Sequence, residues 1–148
     1  MTRSVLLVCR ANLCRSPMAE VVFRTCAPAM GVERVASAGV WASPRGEVID
    51  ARAKAALERR KYTVNPKWRS RRVDVTDLAK FDTILALDAE VLKGLKKLWP
   101  GVPEHRVRLL LDHLPGYEGQ DVPDPYFSNA AGFDAALDLI ERSVAGFR

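Results

Sequence analysis

Cys9, Arg15 and Ser16 share one short polar stretch, residues 9–16, directly after the apolar run Val5-Leu6-Leu7-Val8. Those residue types in that order suit the binding and attack of an oxyanion. The backbone N–H groups of a tight loop can converge on one point. A helix opening at the loop's end adds free N–H groups and partial positive charge. Arg15 can hold two oxygens of a phosphate in a planar fork. The same positive field favours a thiolate at Cys9, and a thiolate beneath a bound phosphate is poised for in-line attack on phosphorus. A lone buried cysteine is more often a small hydrophobe, and five residues between a Cys and an Arg arise by chance. A strand, this loop, Ser16-Pro17 and an apolar helix face in succession are far more specific. Cys26 falls on that apolar face and reads as packing. Cys14 has two readings: packing within the loop, or trapping an oxidised Cys9 as a reversible disulfide.

A carboxylic acid is the natural partner for such a nucleophile. It protonates the leaving oxygen and then acts as base toward the hydrolytic water. Asp121 and Asp124, in the Pro- and Gly-containing stretch 114–128, are both candidates on composition.

The elements that position these groups follow from patterning. Residues 5–8 read as a strand buried on both faces. Ser16 suits an N-cap and Pro17 the first helical position, with Ala19, Val22, Phe23 and Cys26 on one helical face. That helix should end near Pro28 to Gly31. Strands are expected over 33–38, 82–87 and 107–111, and helices over 50–60, 76–80, 89–98 and 130–147. Loops are expected over 39–46, which carries Trp41, and 114–128, with 62–73 irregular. Alternating strands and helices predict an α/β fold: one domain over 1–148, a parallel sheet with helices on both faces, and its site in the loops beyond the strand ends.

Composition narrows the function. A chain of 148 residues with 48% hydrophobic and 28% charged residues predicts one soluble globular domain. No apolar run approaches a membrane span or a signal-peptide core, so a cytoplasmic protein is expected. Three cysteines make no closed disulfide framework, and no zinc-type spacing occurs. The net charge of +5 invites nucleic acid as a partner. The basic runs at Arg59-Arg60-Lys61 and Arg69 to Arg72 fit no nucleic-acid-binding pattern, so no nucleic-acid partner is expected. An anionic substrate remains compatible with the charge.

Val8-Cys9-Arg10-Ala11-Asn12-Leu13-Cys14-Arg15-Ser16-Pro17-Met18-Ala19-Glu20 resembles the signature of the low-molecular-weight protein tyrosine phosphatases. Ser37-Ala38-Gly39, the segment Phe81 to Asp88, and Asp124-Pro125-Tyr126-Phe127 resemble further family segments. The resemblance implies a four-stranded parallel sheet flanked by helices, with the phosphate-binding loop after the first strand. It implies hydrolysis of phosphotyrosine and small aryl phosphates through a phosphocysteine, with no metal or cofactor. Cys9 is then the nucleophile and Arg15 the phosphoryl clamp. Asp124, selected over Asp121 by the Asp-Pro-Tyr motif, is acid and then base. Arg10, Ala11, Asn12, Leu13, Cys14 and Ser16 complete the substrate loop, and Tyr126 and Phe127 line the rim. Trp41 is expected as an opposite wall. A phosphotyrosine protein is the implied partner, an autophosphorylating tyrosine kinase among the options, with phosphate or a similar oxyanion in the loop.

Three residues depart from the family pattern. Ala11 stands where the family usually has Gly. Trp68-Arg69-Ser70-Arg71 matches a stretch that often carries a loop-supporting His. Arg10 adds a cation at the pocket edge, suited to acidic flanking sequence. An arsenate reductase on the same scaffold would need two further cysteines in mid-chain, and none follows Cys26. A non-enzymatic phosphate-binding module would be expected to lack the nucleophile or the acid.

Overall fold

The computed structural model describes residues 3–147. Its centre is β1 (Ser4–Cys9), whose six residues are all buried. Such a strand must be covered on both faces, and the alternation of its side chains shows how. Val5, Leu7 and Cys9 point into one apolar cluster; Leu6 and Val8 point into another. The first cluster is filled from α1 (Arg15–Met30), α2 (Ala51–Arg59) and α5 (Ala130–Gly146). The expected stripe Phe133, Leu137, Ile140 and Val144 of α5 is buried there. The second cluster is filled from α4 (Ala89–Leu98) through Val91 and Leu95, with Leu78 of the short α3 (Asp77–Lys80) against it.

The sheet has the order β2-β1-β3-β4, with β2 (Arg34–Gly39), β3 (Thr83–Ala86) and β4 (Val107–Leu109). Every pairing is parallel. All carboxyl ends therefore lie on one edge, where Cys9 pairs with Gly39 and Val8 with Ala86. The expected fold class holds.

Two local expectations change. The fourth strand stops at Leu109 rather than 111, because β3 offers partners only from Ile84 to Ala86. Leu110 and Leu111 enter a buried 3-10 turn (Leu110–His113) instead. The first helix begins at Arg15, with Cys14 in the cap position and no side-chain cap. Ser16 is thus inside the first turn, and Pro17 sits one position further, where its missing N–H still costs no helical bond. An uncapped N-terminus leaves its N–H groups free for an anion. At the other end, Gly31 closes α1 at φ 70°, a left-handed cap that glycine adopts without strain.

Candidate active site

The loop between β1 and α1 curls over the end of the strand, and its sulfur is held from inside the protein. Cys9 is 3% exposed. Its Sγ accepts the Asn12 backbone N–H at 3.3 Å and lies 2.9 Å from Ser16 Oγ. Asn12 has φ 58°, the left-handed conformation that asparagine tolerates. Its fully buried side chain donates from Nδ2 to Ser16 Oγ (2.7 Å) and Ser37 Oγ (3.0 Å), and its Oδ1 accepts Arg71 N–H at 2.9 Å. Ser37 in turn donates to Glu20 Oε1, which also accepts Trp68 Nε1–H at 3.0 Å. A chain of buried hydrogen bonds thus runs from Trp68 through Glu20, Ser37, Asn12 and Ser16 to the sulfur.

The stretch without the family's His therefore still supports the loop, through the Trp68 indole and the Arg71 backbone. Ala11 brings no left-handed strain: among the described non-glycine residues only Asn12 and Lys61 have positive φ. Gly39 is required where β2 meets the loop. A Cβ there would lie 2.8 Å from Arg10 O and Asn12 N.

Arg15 is 2% exposed, and its charge is paired inside the protein. Its Nη1 donates to Asp88 Oδ2 (2.8 Å) and Val122 O (2.9 Å), and its Nη2 lies 3.7 Å from Asp124 Oδ2. Burial works against the cation, and Cys9 and Asp88 outweigh it, raising its pKa above the usual arginine value. Asp88 serves twice, since its Oδ1 also caps α4 by accepting Val91 N–H. The two candidate acids separate cleanly. Asp121 is committed to Ala89 N–H at the start of α4. Asp124 opens onto the cavity and accepts the Tyr126 N–H at 3.1 Å.

A cavity of about 390 Å³ is lined by Cys9, Arg10, Ala11, Leu13, Cys14, Arg15, Asp124, Tyr126 and Phe127. Asn12 and Ser16 lie beneath it, buried, and reach it only through the sulfur and backbone. Trp41 is not among the lining residues. It lies under the Arg10 guanidinium, 5.2 Å from it, and close to Gly94 of α4. Arg10 is also paired with Glu90 at the exposed rim, so part of its charge is spent within the protein. Glu20, Ser37, Asp88 and Trp68 all fall in segments that carry the family resemblance, but nothing in the sequence assigns them a role at the site.

A parallel α/β sheet whose first loop curls over a strand-end cysteine, with a buried arginine and a facing carboxylate on one cavity, defines a cysteine-dependent phosphatase class. The chain belongs to the low molecular weight phosphotyrosine protein phosphatase family, whose model matches residues 4–148. A low molecular weight protein-tyrosine-phosphatase of Streptomyces coelicolor is 36% identical, over 99% of this chain and 92% of its own. The crystal structure of YfkJ from Bacillus subtilis superposes with a TM-score of 0.88 at 31% identity, covering 99% of this chain and 92% of that one. The YwlE arginine phosphatase of Geobacillus stearothermophilus gives a TM-score of 0.85 at 26% identity, over 97% and 89%.

Proposed function

We propose that the protein hydrolyses phosphotyrosine and small aryl phosphates in two steps. In the first, the Cys9 thiolate forms an S–P bond as the P–O bond to the aryl group breaks. Asp124, as the acid, gives its proton to the leaving phenolate oxygen. In the second, water attacks phosphocysteine and loses a proton to the Asp124 carboxylate. The S–P bond breaks, the thiolate returns and inorganic phosphate leaves. Arg15 and the loop N–H groups from Arg10 to Arg15 stabilise the charge that builds on the phosphoryl oxygens. Ser16, by its hydrogen-bond distance to Sγ, assists the departing thiolate.

The observation that carries this reading is one cavity lined by Cys9, Arg15 and Asp124 together. Leu13, Tyr126 and Phe127 give it an apolar, aromatic wall suited to a flat phenyl ring. The reading includes no metal and no cofactor. Its partner class is a phosphotyrosine protein, such as an autophosphorylating tyrosine kinase, met in a reducing cytoplasm that keeps Cys9 a free thiol.

Hydrolysis of an aryl phosphate with excess chelator is the test. Cys9→Ser should abolish turnover, and Asp124→Asn should slow it by about 10²- to 10⁴-fold while phosphate still binds. Activity surviving in Cys9→Ser, or lost to the chelator, overturns the mechanism. Phosphoarginine belongs in the same assay, because a structural relative is an arginine phosphatase. The charged residues lining the cavity are Arg10, Arg15 and Asp124, and the two cations disfavour a guanidinium leaving group. Comparable kcat/KM on phosphoarginine would move the assignment away from tyrosine.

A further inference from the structure

Arg52 stands where a cation is least expected, in the first turn of α2, against the helix dipole. Its contacts explain the placement. Arg52 Nη2 pairs with Asp50 Oδ2 at 2.9 Å, and Nε donates to Asp50 Oδ1 at 3.1 Å. This pairing holds the Asp50 carboxyl below the usual carboxylate range. Nη1 reaches across to Tyr126 O at 2.8 Å. The guanidinium lies 5.3 Å from the Tyr126 ring and 4.7 Å from the Phe133 ring, both within cation–π range. Asp50 itself donates its backbone N–H to Leu13 O of the phosphate loop at 3.0 Å.

Arg52 thus joins the start of α2 to the segment that bears Asp124, and Asp50, its partner, ties that start to the phosphate loop. Pro125 is buried, but the segment has few other polar ties. Asp124 to Tyr126 and Pro125 to Ser128 bond only within the segment. Among the described residues, the polar contacts reaching 124–128 from other elements are Arg15 to Asp124, at 3.7 Å, and Arg52 to Tyr126 O.

We propose that Arg52 is a positioning residue: it clasps the backbone at Tyr126 and so holds Asp124 over the cavity for proton transfer. This rests on Asp124 as the acid. Without the clasp, the S–P bond can still form, but the leaving oxygen departs without its proton. The loss is therefore largest for poor leaving groups. Lys at 52 keeps the charge beside Asp50 and one donor, but not the fork.

The test compares kcat/KM for 2,4-dinitrophenyl phosphate, whose leaving group needs no proton, with phenyl phosphate, whose leaving group does. In Arg52→Ala the ratio of the two should rise by about tenfold or more; Arg52→Lys should fall between it and the parent. Because both substrates are measured on one preparation, the ratio is insensitive to the fraction folded. Asp124→Asn run alongside separates the two claims. A ratio unchanged in Asp124→Asn overturns the acid assignment. A ratio raised in Asp124→Asn but unchanged in Arg52→Ala overturns the clasp.

Discussion

Burial pushes the Cys14 thiol up to about 12, with the charges of Asp50, Cys9 and Asp124 adding to the effect. A raised pKa keeps the proton on at every pH below it, so Cys14 is a thiol near neutrality. As the attacker in a disulfide with oxidised Cys9, it must first lose that proton, so closure is slow at neutral pH. In a Cys9→Ser, Cys26→Ser background, alkylation of Cys14 followed by mass spectrometry should climb about tenfold per pH unit and still be rising near pH 10. A plateau reached near pH 8 would contradict the burial. The three cysteines were already separable in the sequence, because strand end, loop and apolar helix face are distinct contexts. Composition left Asp121 and Asp124 open, since both sit in one loop; the Asp-Pro-Tyr resemblance selects Asp124, and their different partners, Ala89 N–H and the cavity, give the physical reason.

The site depends on how closely β2 approaches the phosphate loop. Gly39 leaves no room for a side chain: a Cβ would press on Arg10 O, Asn12 N and Ala11 C at 2.8–2.9 Å, all backbone atoms with little room to give. Gly39→Ala should therefore displace the loop and lower kcat/KM on an aryl phosphate by on the order of 10- to 100-fold, with the fold retained by circular dichroism. Unchanged kinetics would mean that the loop is not held by β2 in this way. Helix α1 was legible from Ala19, Val22 and Phe23, but its start was not. Ser16-Pro17 is a common capping pair, yet the Ser16 hydroxyl is drawn inward to Asn12 and Cys9. A side chain committed to a buried network cannot also cap the helix that carries it.

The carboxyl-terminal helix closes the molecule. Phe147 meets the Phe23 ring edge-on at 5.4 Å and the His113 ring at 4.9 Å. Burial holds His113 below its ordinary pKa of 6.5, with Arg108 and Arg3 adding to the effect and the Leu110 carbonyl and Asp112 opposing it. The unfolded chain therefore takes up this proton more readily, and stability falls as pH drops through about 6.5 and below. His113→Gln removes that penalty, so the parent's Tm should decline more steeply than the variant's between about pH 7.5 and 5. Parallel slopes would show that His113 is not buried as a neutral ring. No described helix is long and apolar enough to cross a membrane. The amino-acid sequence alone determined the alternating α/β order, the polar loop after the first strand, and the pairing of a strand-end Cys9 with Arg15 in that loop, because each is written in local periodicity and short spacing. Only the tertiary structure decided what engages Asp121, what replaces the supporting histidine, and that Arg52 reaches Tyr126. Those contacts join residues from 17 to 74 positions apart, and distance along a chain carries no record of which side chains will meet.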